Sequence, residues 1–415
     1  MMHITSLKSK TKHIPIATLA DPPELYLPLY GYKGTMDLLV QPGETVKKYQ
    51  PVAASEGVFA ACVHAPVSGT IEGIEDINGQ PHLKLINNFK DNEYELPSLN
   101  PDGLTNAQIL SILKEYGIEG SGGARFPTHL KYDVEGRIST LIINGAECEP
   151  YLSADYALLK NELPALVKAI QLLQKVVRAQ WVVIAIEKQH RELKKLLSPL
   201  LPVHAIETHL LPNEYPQGGE LQLIKSVTGK ELPKGSIPAQ HGIMVSNVGT
   251  LWAVYNAFYG NKPYTDRVIT LSGEKARHIG NYSVKVGTPV WFIMQELGMD
   301  WNPEQQTVIL GGPMMGRAVH DARSPINKGT GGVLIMPQAK ANDNNCIQCG
   351  YCADACPQRL MPMEFVRPEA RADKERLLQL NLTDCIECGA CAYICPSDVP
   401  LMKSIFTGKQ TLQAS

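Results

Sequence analysis

Residues 117–149 read GIEGSGGARFPTHLKYDVEGRISTLIINGAECE, which sets a glycine-rich loop and a short apolar run close together in the chain. Gly117, Gly120, Gly122 and Gly123 strip side chains from one stretch of backbone, so its N–H groups can come close to a flat or phosphorylated ligand. The loop is not a Walker loop, which needs G-x4-G-K-[ST], and no strand precedes it as a dinucleotide fingerprint requires. A helix precedes it instead: residues 105–116 (TNAQILSILKEY) place Ile109, Ile112, Leu113 and Tyr116 on one face. Residues 140–144 (TLIIN) have the pattern of a buried strand and run into GAECEP. Asn144, Glu147 and Glu149 then stand at a strand's C-terminal end, where open α/β sheets bind ligands. The run that follows, 151–177, is helix-like, so these acids also lie at a helix N-terminus, able to accept from ribose hydroxyls or a carboxamide.

Towards the C-terminus the chain carries eight of its 10 cysteines between Cys346 and Cys395; the others are Cys62 and Cys148. Cys346, Cys349, Cys352 and Cys356 follow C-x2-C-x2-C-x3-C with Pro357, and Cys385, Cys388, Cys391 and Cys395 repeat the pattern with Pro396. Thiolates at i, i+3 and i+6 can cap three irons of a cubane, while the fourth reaches a second cluster. The spacing predicts two [4Fe–4S] clusters, one on Cys346, Cys349, Cys352 and Cys395, the other on Cys385, Cys388, Cys391 and Cys356. Gly350 and Gly389 let backbone pass close to sulfur. Zinc favours two CxxC pairs closing a tetrahedron, and disulfides do not suit a chain without an export signal. Residues 363–383 are rich in helix formers and predict one or two short helices between the runs.

Towards the N-terminus, residues 38–75 alternate short β-prone runs with Pro-Gly, Glu-Gly and Ser-Gly turns, a pattern that resembles the barrel-sandwich fold of biotinyl and lipoyl domains. The hairpin tip reads ASEGVFAACV, with no lysine to carry a prosthetic group, which predicts a structural or docking module with Cys62 as a buried apolar residue. Between 266 and 320, VITLSG, NYSVKVGTPV and TVILGG flank a helix-like FIMQELGM, and GGPMMG (311–316) reads as a tight turn against the nucleotide domain. Residues 337–345 form a polar linker.

Lys plus Arg number 39 against 41 for Asp plus Glu, a net charge of −2, which argues against nucleic-acid partners. Only 19% of residues are charged, which suits surface buried against partners. No apolar run approaches the ~20 residues of a membrane span, and the first residues lack the apolar middle of a signal peptide. The expectation is a cytoplasmic, non-spanning chain.

GSGGARFPTHLK (120–131), INGAECEPYLSADYALL (143–159), YPQGGELQLI (215–224) and NVGTL (247–251), in that order, resemble the RnfC family, subunits of the Rnf electron-transport complex. Their flavin domain is similar to the flavoprotein subunit of respiratory complex I. The resemblance implies a multidomain α/β chain: a barrel-sandwich β domain (1–100), a Rossmann-like FMN/NADH domain (101–265), a β-grasp domain of the SLBB type (266–336) and an α-helical two-cluster ferredoxin domain (337–415). It implies FMN contacts at Gly120, Gly122, Gly123, Lys131, Asn144, Glu147, Gly218, Asn247 and Thr250, and a nicotinamide-nucleotide side at Phe126, Glu149 and Glu220. Arg125 stands where the commonest loop has glycine, to crowd the flavin or pair with a phosphate, and Ala146 stands where complex I carries aspartate.

The function implied is electron transfer between NAD(H), FMN and two [4Fe–4S] clusters, at the cytoplasmic face of a membrane-bound, ion-translocating oxidoreductase. Its partners would be integral membrane and iron–sulfur subunits, with ferredoxin reached through them. Nicotinamides exchange hydride and clusters exchange single electrons, so a flavin must stand between them. Two alternatives are a cobalamin reductase of the microcompartment type, whose barrel-sandwich part lies towards the C-terminus, and a flavin-less iron–sulfur relay.

Overall fold

The computed structural model describes residues 2–199, 205–233, 235–338, 344–367 and 373–413. After the short strand β1 (Ile16–Thr18), seven strands form two facing antiparallel sheets: β2 (Glu24–Pro28), β3 (Asp37–Leu38), β4 (Thr45–Val46), β5 (Pro51–Ala54), β6 (Cys62–His64), β7 (Gly69–Ile77) and β8 (Gln80–Asn87). One sheet runs β2-β8-β7-β4 and the other β3-β5-β6. Leu25, Leu27, Val52, Ile71, Leu83 and Leu85 are fully buried between them.

The nucleotide region opens with α1 (Asn106–Glu115), begun by a capping box in which Thr105 Oγ1 accepts from the Gln108 N–H and the Gln108 side chain accepts from the Thr105 N–H. The short helix α2 (Thr128–Tyr132) follows the glycine loop. Then come β9 (Thr140–Gly145), α3 (Ala154–Asn161), α4 (Leu163–Val177), β10 (Trp181–Glu187), α5 (Arg191–Leu197), β11 (Ile206–Leu211), α6 (Glu220–Thr228), β12 (Ile243–Asn247) and α7 (Val248–Tyr259). The helix-like run after GAECEP is two helices, because Pro164 starts a new first turn. The four strands are parallel in the order β11-β10-β9-β12. Leu141 and Ile143 of β9 join the core under α1, α4 and α7, while Ile142 faces the core under α6, so the strand is buried on both faces. From β9 the chain steps outward to β10 and β11, then returns to the far side of β9 as β12. The crevice at the C-terminal ends of β9 and β12 is therefore the topological switch point.

A fourth, mixed sheet joins β13 (Asp266–Ser272), β14 (Gly280–Lys285), β15 (Gln306–Leu310), β16 (Arg317–Ala318) and β17 (Gly332–Pro337), with α8 (Val290–Glu296) packed on it. Its order is β1-β14-β13-β17-β15-β16. Here the strand pairing departs from the unit expected over 1–100: β1 leaves the barrel-sandwich and pairs in parallel with β14, Ile16 against Asn281.

The C-terminal module is helical, with Phe365, Leu377, Leu382 and Ile405 at its core between the short helices Tyr351–Asp354, Lys374–Gln379 and Ala390–Tyr393 and the longer Leu401–Gln413. Residues 339–343 of the expected linker, and 368–372 within the expected helical span, lie outside the described residues. Among the described residues no helix is long and apolar enough to cross a membrane.

Candidate functional site: a crevice and two cysteine nests

The glycine loop is a closed hairpin. The Gly120 N–H donates to the Phe126 carbonyl at 2.9 Å and the Thr128 N–H to that of Ile118 at 3.0 Å. At its tip Gly122, Gly123 and Ala124 are exposed, and their N–H groups have no partner among the described residues, an arrangement that suits an anion such as a phosphate. The loop leans on β12 and α7: the Ser121 N–H donates to Thr250 Oγ1 at 2.9 Å, and a Cβ at Gly122 would stand 3.8 Å from that of Asn247.

Arg125 neither crowds the crevice nor offers itself to a phosphate. It is buried, with φ 55°, the left-handed region that favours the family's glycine, and its Nε donates to Glu119 Oε2 at 2.8 Å. Lys328, from the loop before β17, donates to the other Glu119 oxygen at 3.1 Å and to the carbonyls of Gly117 and Cys62. Burial alone would raise the Glu119 pKa, but Lys328 and Arg125 together hold it below the usual carboxylate value. Glu119 and Lys328 are thus a buried charge pair beneath the loop that the sequence did not single out. Their one signal, an acid beside the glycines, looks the same as any surface glutamate.

The turns at the strand ends converge on this loop. Asn144 Nδ2 donates to the Gly218 carbonyl at 2.9 Å, joining GAECEP to YPQGG. Asn247 accepts from the Gly249 N–H as the cap of α7 and donates to Asp155 Oδ2 at 2.7 Å. Glu147 accepts from the N–H groups of Asp155 (3.2 Å) and Tyr156 (3.3 Å), capping α3 in place of its own N-cap Ser153; burial pushes its pKa up to about 7. Lys131 and Glu220, expected on different ligands, form an ion pair at 3.0 Å. Phe126 lies edge-on to Tyr32, 5.1 Å between centroids, and near Phe59 at the tip of the β5–β6 hairpin. The hairpin tip that would bear a carrier lysine therefore rests against the glycine loop.

Glu149 faces another way. Its carboxylate accepts from the N–H groups of Met314 (3.0 Å) and Met315 (2.8 Å), so GGPMMG is the tight turn expected, docked on an acid whose pKa burial raises to about 7. Cys148, the remaining side chain of that turn, accepts from the Gly218 N–H at 3.4 Å, and burial raises its thiol to about 12, leaving it a protonated packing group at neutral pH. Cys62 is half-buried, its thiol pushed up to about 11 by burial.

The eight cysteines gather in two crossed sets. One hollow is lined by Cys346, Cys349, Cys352 and Cys395, the other by Cys356, Cys385, Cys388 and Cys391. The two halves repeat their backbone-to-sulfur bonds at matching positions: the Gln348 N–H donates to Cys346 Sγ and Glu387 to Cys385, Leu360 to Cys356 and Val399 to Cys395, at 3.3–3.5 Å. N–H donors aimed at sulfur suit thiolate ligands of a cluster. The halves differ in exposure. Cys346 and Cys349 are exposed, with Ile347 and Tyr351 open to solvent beside them, whereas Cys388 and Cys391 are buried. Cys388 packs with Tyr215, Cys148 and Met314, and Tyr215, missed by sequence reading, donates to its carbonyl at 2.6 Å.

Comparison with known proteins gives three family matches: the RnfC barrel sandwich hybrid domain over residues 2–86, the Nuo51 FMN-binding domain over 113–256 and a 4Fe-4S dicluster domain over 345–399. The C subunit of the ion-translocating oxidoreductase complex of Actinobacillus succinogenes is 37% identical over 403 residues, covering 92% of this chain and 56% of the relative. That of Vibrio cholerae is 36% identical over 379 residues (88% and 49%), and that of Pasteurella multocida 35% over 418 (97% and 50%). The chain thus spans about half the length of these relatives. Among solved structures, an NAD+-reducing [NiFe]-hydrogenase in the H2-reduced state matches 75% of this chain and 64% of its own at TM-score 0.53 and 18% identity, a likeness of fold.

Proposed function

This chain belongs to the RnfC family, named for the C subunits of ion-translocating oxidoreductase complexes, and from that premise we propose that it carries electrons between NAD(H), FMN and two [4Fe–4S] clusters. One observation carries the reading. The turns that border the switch-point crevice, GAECEP and YPQGG, are the same turns that pack on Cys388. A flavin site and a cluster site that share walls suit short-range electron transfer.

The crevice fits a flavin mononucleotide. Free N–H groups at Gly122, Gly123 and Ala124 offer a phosphate cradle, and Lys131, Asn144, Glu147, Gly218, Asn247 and Thr250 lie on the strand ends, turns and helices that border it. When bound, FMN supplies the exchange between hydride and single electrons that neither partner makes alone. Phe126 offers a ring face to the nucleotide, and Glu220, paired with Lys131, can reorient towards ribose hydroxyls. Glu149 serves the nucleotide only if it leaves Met314 and Met315. The set Cys356, Cys385, Cys388 and Cys391, buried against the flavin turns, would hold the inner cluster. Cys346, Cys349, Cys352 and Cys395 would hold the outer one, facing a partner.

We read the mixed sheet as the β-grasp domain. The partners are the integral membrane and iron–sulfur subunits of the same complex, with ferredoxin reached through them and the chain peripheral on the cytoplasmic face of the membrane. The N-terminal place of the barrel-sandwich favours this over a cobalamin reductase, and the buried Arg125–Glu119 pair removes the reason to think the flavin site decayed.

Anaerobic reconstitution with iron, sulfide and FMN tests the proposal. NADH should reduce a one-electron acceptor only when FMN is present. Cys349→Ala should abolish the outer cluster's electron paramagnetic resonance signal and spare NADH reduction of the inner one, and Cys388→Ala should block reduction of both. Wild-type protein that binds iron and sulfide yet no flavin would leave only the relay.

A further inference from the structure

Lys8 is 1% exposed, a burial that a lone ammonium does not tolerate. Its Nζ donates to the carbonyl of Glu147, its one acceptor among the described residues. Around it stand Glu147 and Glu149 from the turn after β9, Asp155 at the start of α3, and Glu187 at the end of β10. Lys8 opposes the upward pKa shift that burial imposes on each. Glu187 Oε2 has no hydrogen-bond partner among the described residues.

The surrounding N-terminal segment is tied to the same turns. Met2 and Tyr215 exchange both backbone hydrogen bonds, the Tyr151 N–H donates to the Ser6 carbonyl, and Ser153 Oγ donates to Thr11 Oγ1 at 2.8 Å. Thr11, fully buried, accepts in turn from Asn281 of the mixed sheet through its carbonyl. Glu147 is thereby clamped twice, at its carboxylate by α3 and at its carbonyl by Lys8.

Resting on the flavin reading above, we infer that Lys8 is a positioning residue of the cofactor crevice: acting through Glu147, it fixes the turn after β9 and supplies the positive charge that lets four carboxylic acids share the strand ends. Residues 2–12 are then a wall of the cofactor site, lying behind its acids.

Lys8→Met tests this in the full-length protein, with Lys8→Arg as the conservative partner. The readouts are FMN affinity of the flavin-free protein, from quenching of flavin fluorescence, and the midpoint potential of the bound flavin. Lys8→Met should weaken FMN binding at least tenfold and move the midpoint to more negative values, because a positive charge near the flavin is lost; Lys8→Arg should recover most of both. Wild-type affinity and midpoint in Lys8→Met would overturn the inference. Should that variant not fold, Lys8→Met/Glu187→Gln removes the stranded charge; weak FMN binding in the double variant supports the role, and wild-type binding and midpoint overturn it. Wild-type protein that bound no FMN would defeat the flavin reading and this inference together, whereas normal FMN binding by Lys8→Met defeats the inference alone.

Discussion

Tyr215 donates a 2.6 Å hydrogen bond from its buried hydroxyl to the carbonyl of Cys388, tying the turn that carries Gly218 and Glu220 to the peptide between Cys388 and Gly389. The turn proposed to border the flavin and the turn proposed to hold a cluster are joined by one side chain, so the protein itself sets their relative placement.

Tyr215→Phe keeps the ring and removes the donor, leaving a buried carbonyl short of a partner. The expected cost is about 1–2 kcal/mol, read by denaturant titration. With iron and FMN content unchanged, reduction of the clusters by NADH in stopped flow should slow.

The two sequence-equivalent glycines should respond unequally to alanine. Gly350 (φ 82°) has nothing within 4 Å of an added Cβ, so Gly350→Ala pays only for the left-handed backbone, about 1 kcal/mol. Gly389 (φ 74°) would put its Cβ 2.5 Å from the Met314 carbonyl. Gly389→Ala should therefore lower the melting temperature clearly further and loosen GGPMMG from the turn that carries Cys388. Equal losses would show that this contact does not form in solution.

Arg125→Gly restores the commoner loop sequence but strips Glu119 of one of its two cations. Breaking a buried pair costs about 3 kcal/mol, and Lys328 remains to soften the loss. Thermal unfolding should register the drop, while FMN affinity should not rise, because the guanidinium points away from the crevice.

Glu149 has its pKa raised from 4.5 to about 7, so the folded state holds its proton more tightly than the unfolded chain. The stability this contributes is complete below pH 4.5 and is lost as pH rises through about 7. Other buried acids shift the same way, and His64 and His190, held down to about 3 by burial, oppose it at low pH, so the difference between proteins is the useful quantity. Glu149→Gln should match wild type near pH 5 and exceed it in melting temperature near pH 8.

Much of this molecule was legible beforehand. Cysteine spacing gave the crossed sets because the fourth thiolate's reach is a covalent property of the motif, and TLIIN read as a strand because it is apolar on both faces. What stayed hidden was side-chain partnership across the chain. Glu149 meets Met314 at a separation of 165 positions, and Lys131 meets Glu220 at one of 89. Local pattern holds no trace of either, and each looked like a free charge available to a ligand. Lys8 was hidden for the opposite reason: in MMHITSLKSKTKHIP it is one lysine among several, and only the fold buries it alone.

Strand β1 has a consequence for how the chain is made. Ile16 pairs with Asn281, 265 positions further along the chain (281 − 16). At ~5–20 residues per second, a ribosome leaves β1 waiting for roughly 13–53 s after it emerges. The two small facing sheets and the parallel sheet are complete in sequence long before then and can fold as they appear. Of the contacts made by the opening segment, the β1–β14 pairing must wait for residue 281, whereas the acids facing Lys8 all lie before residue 188.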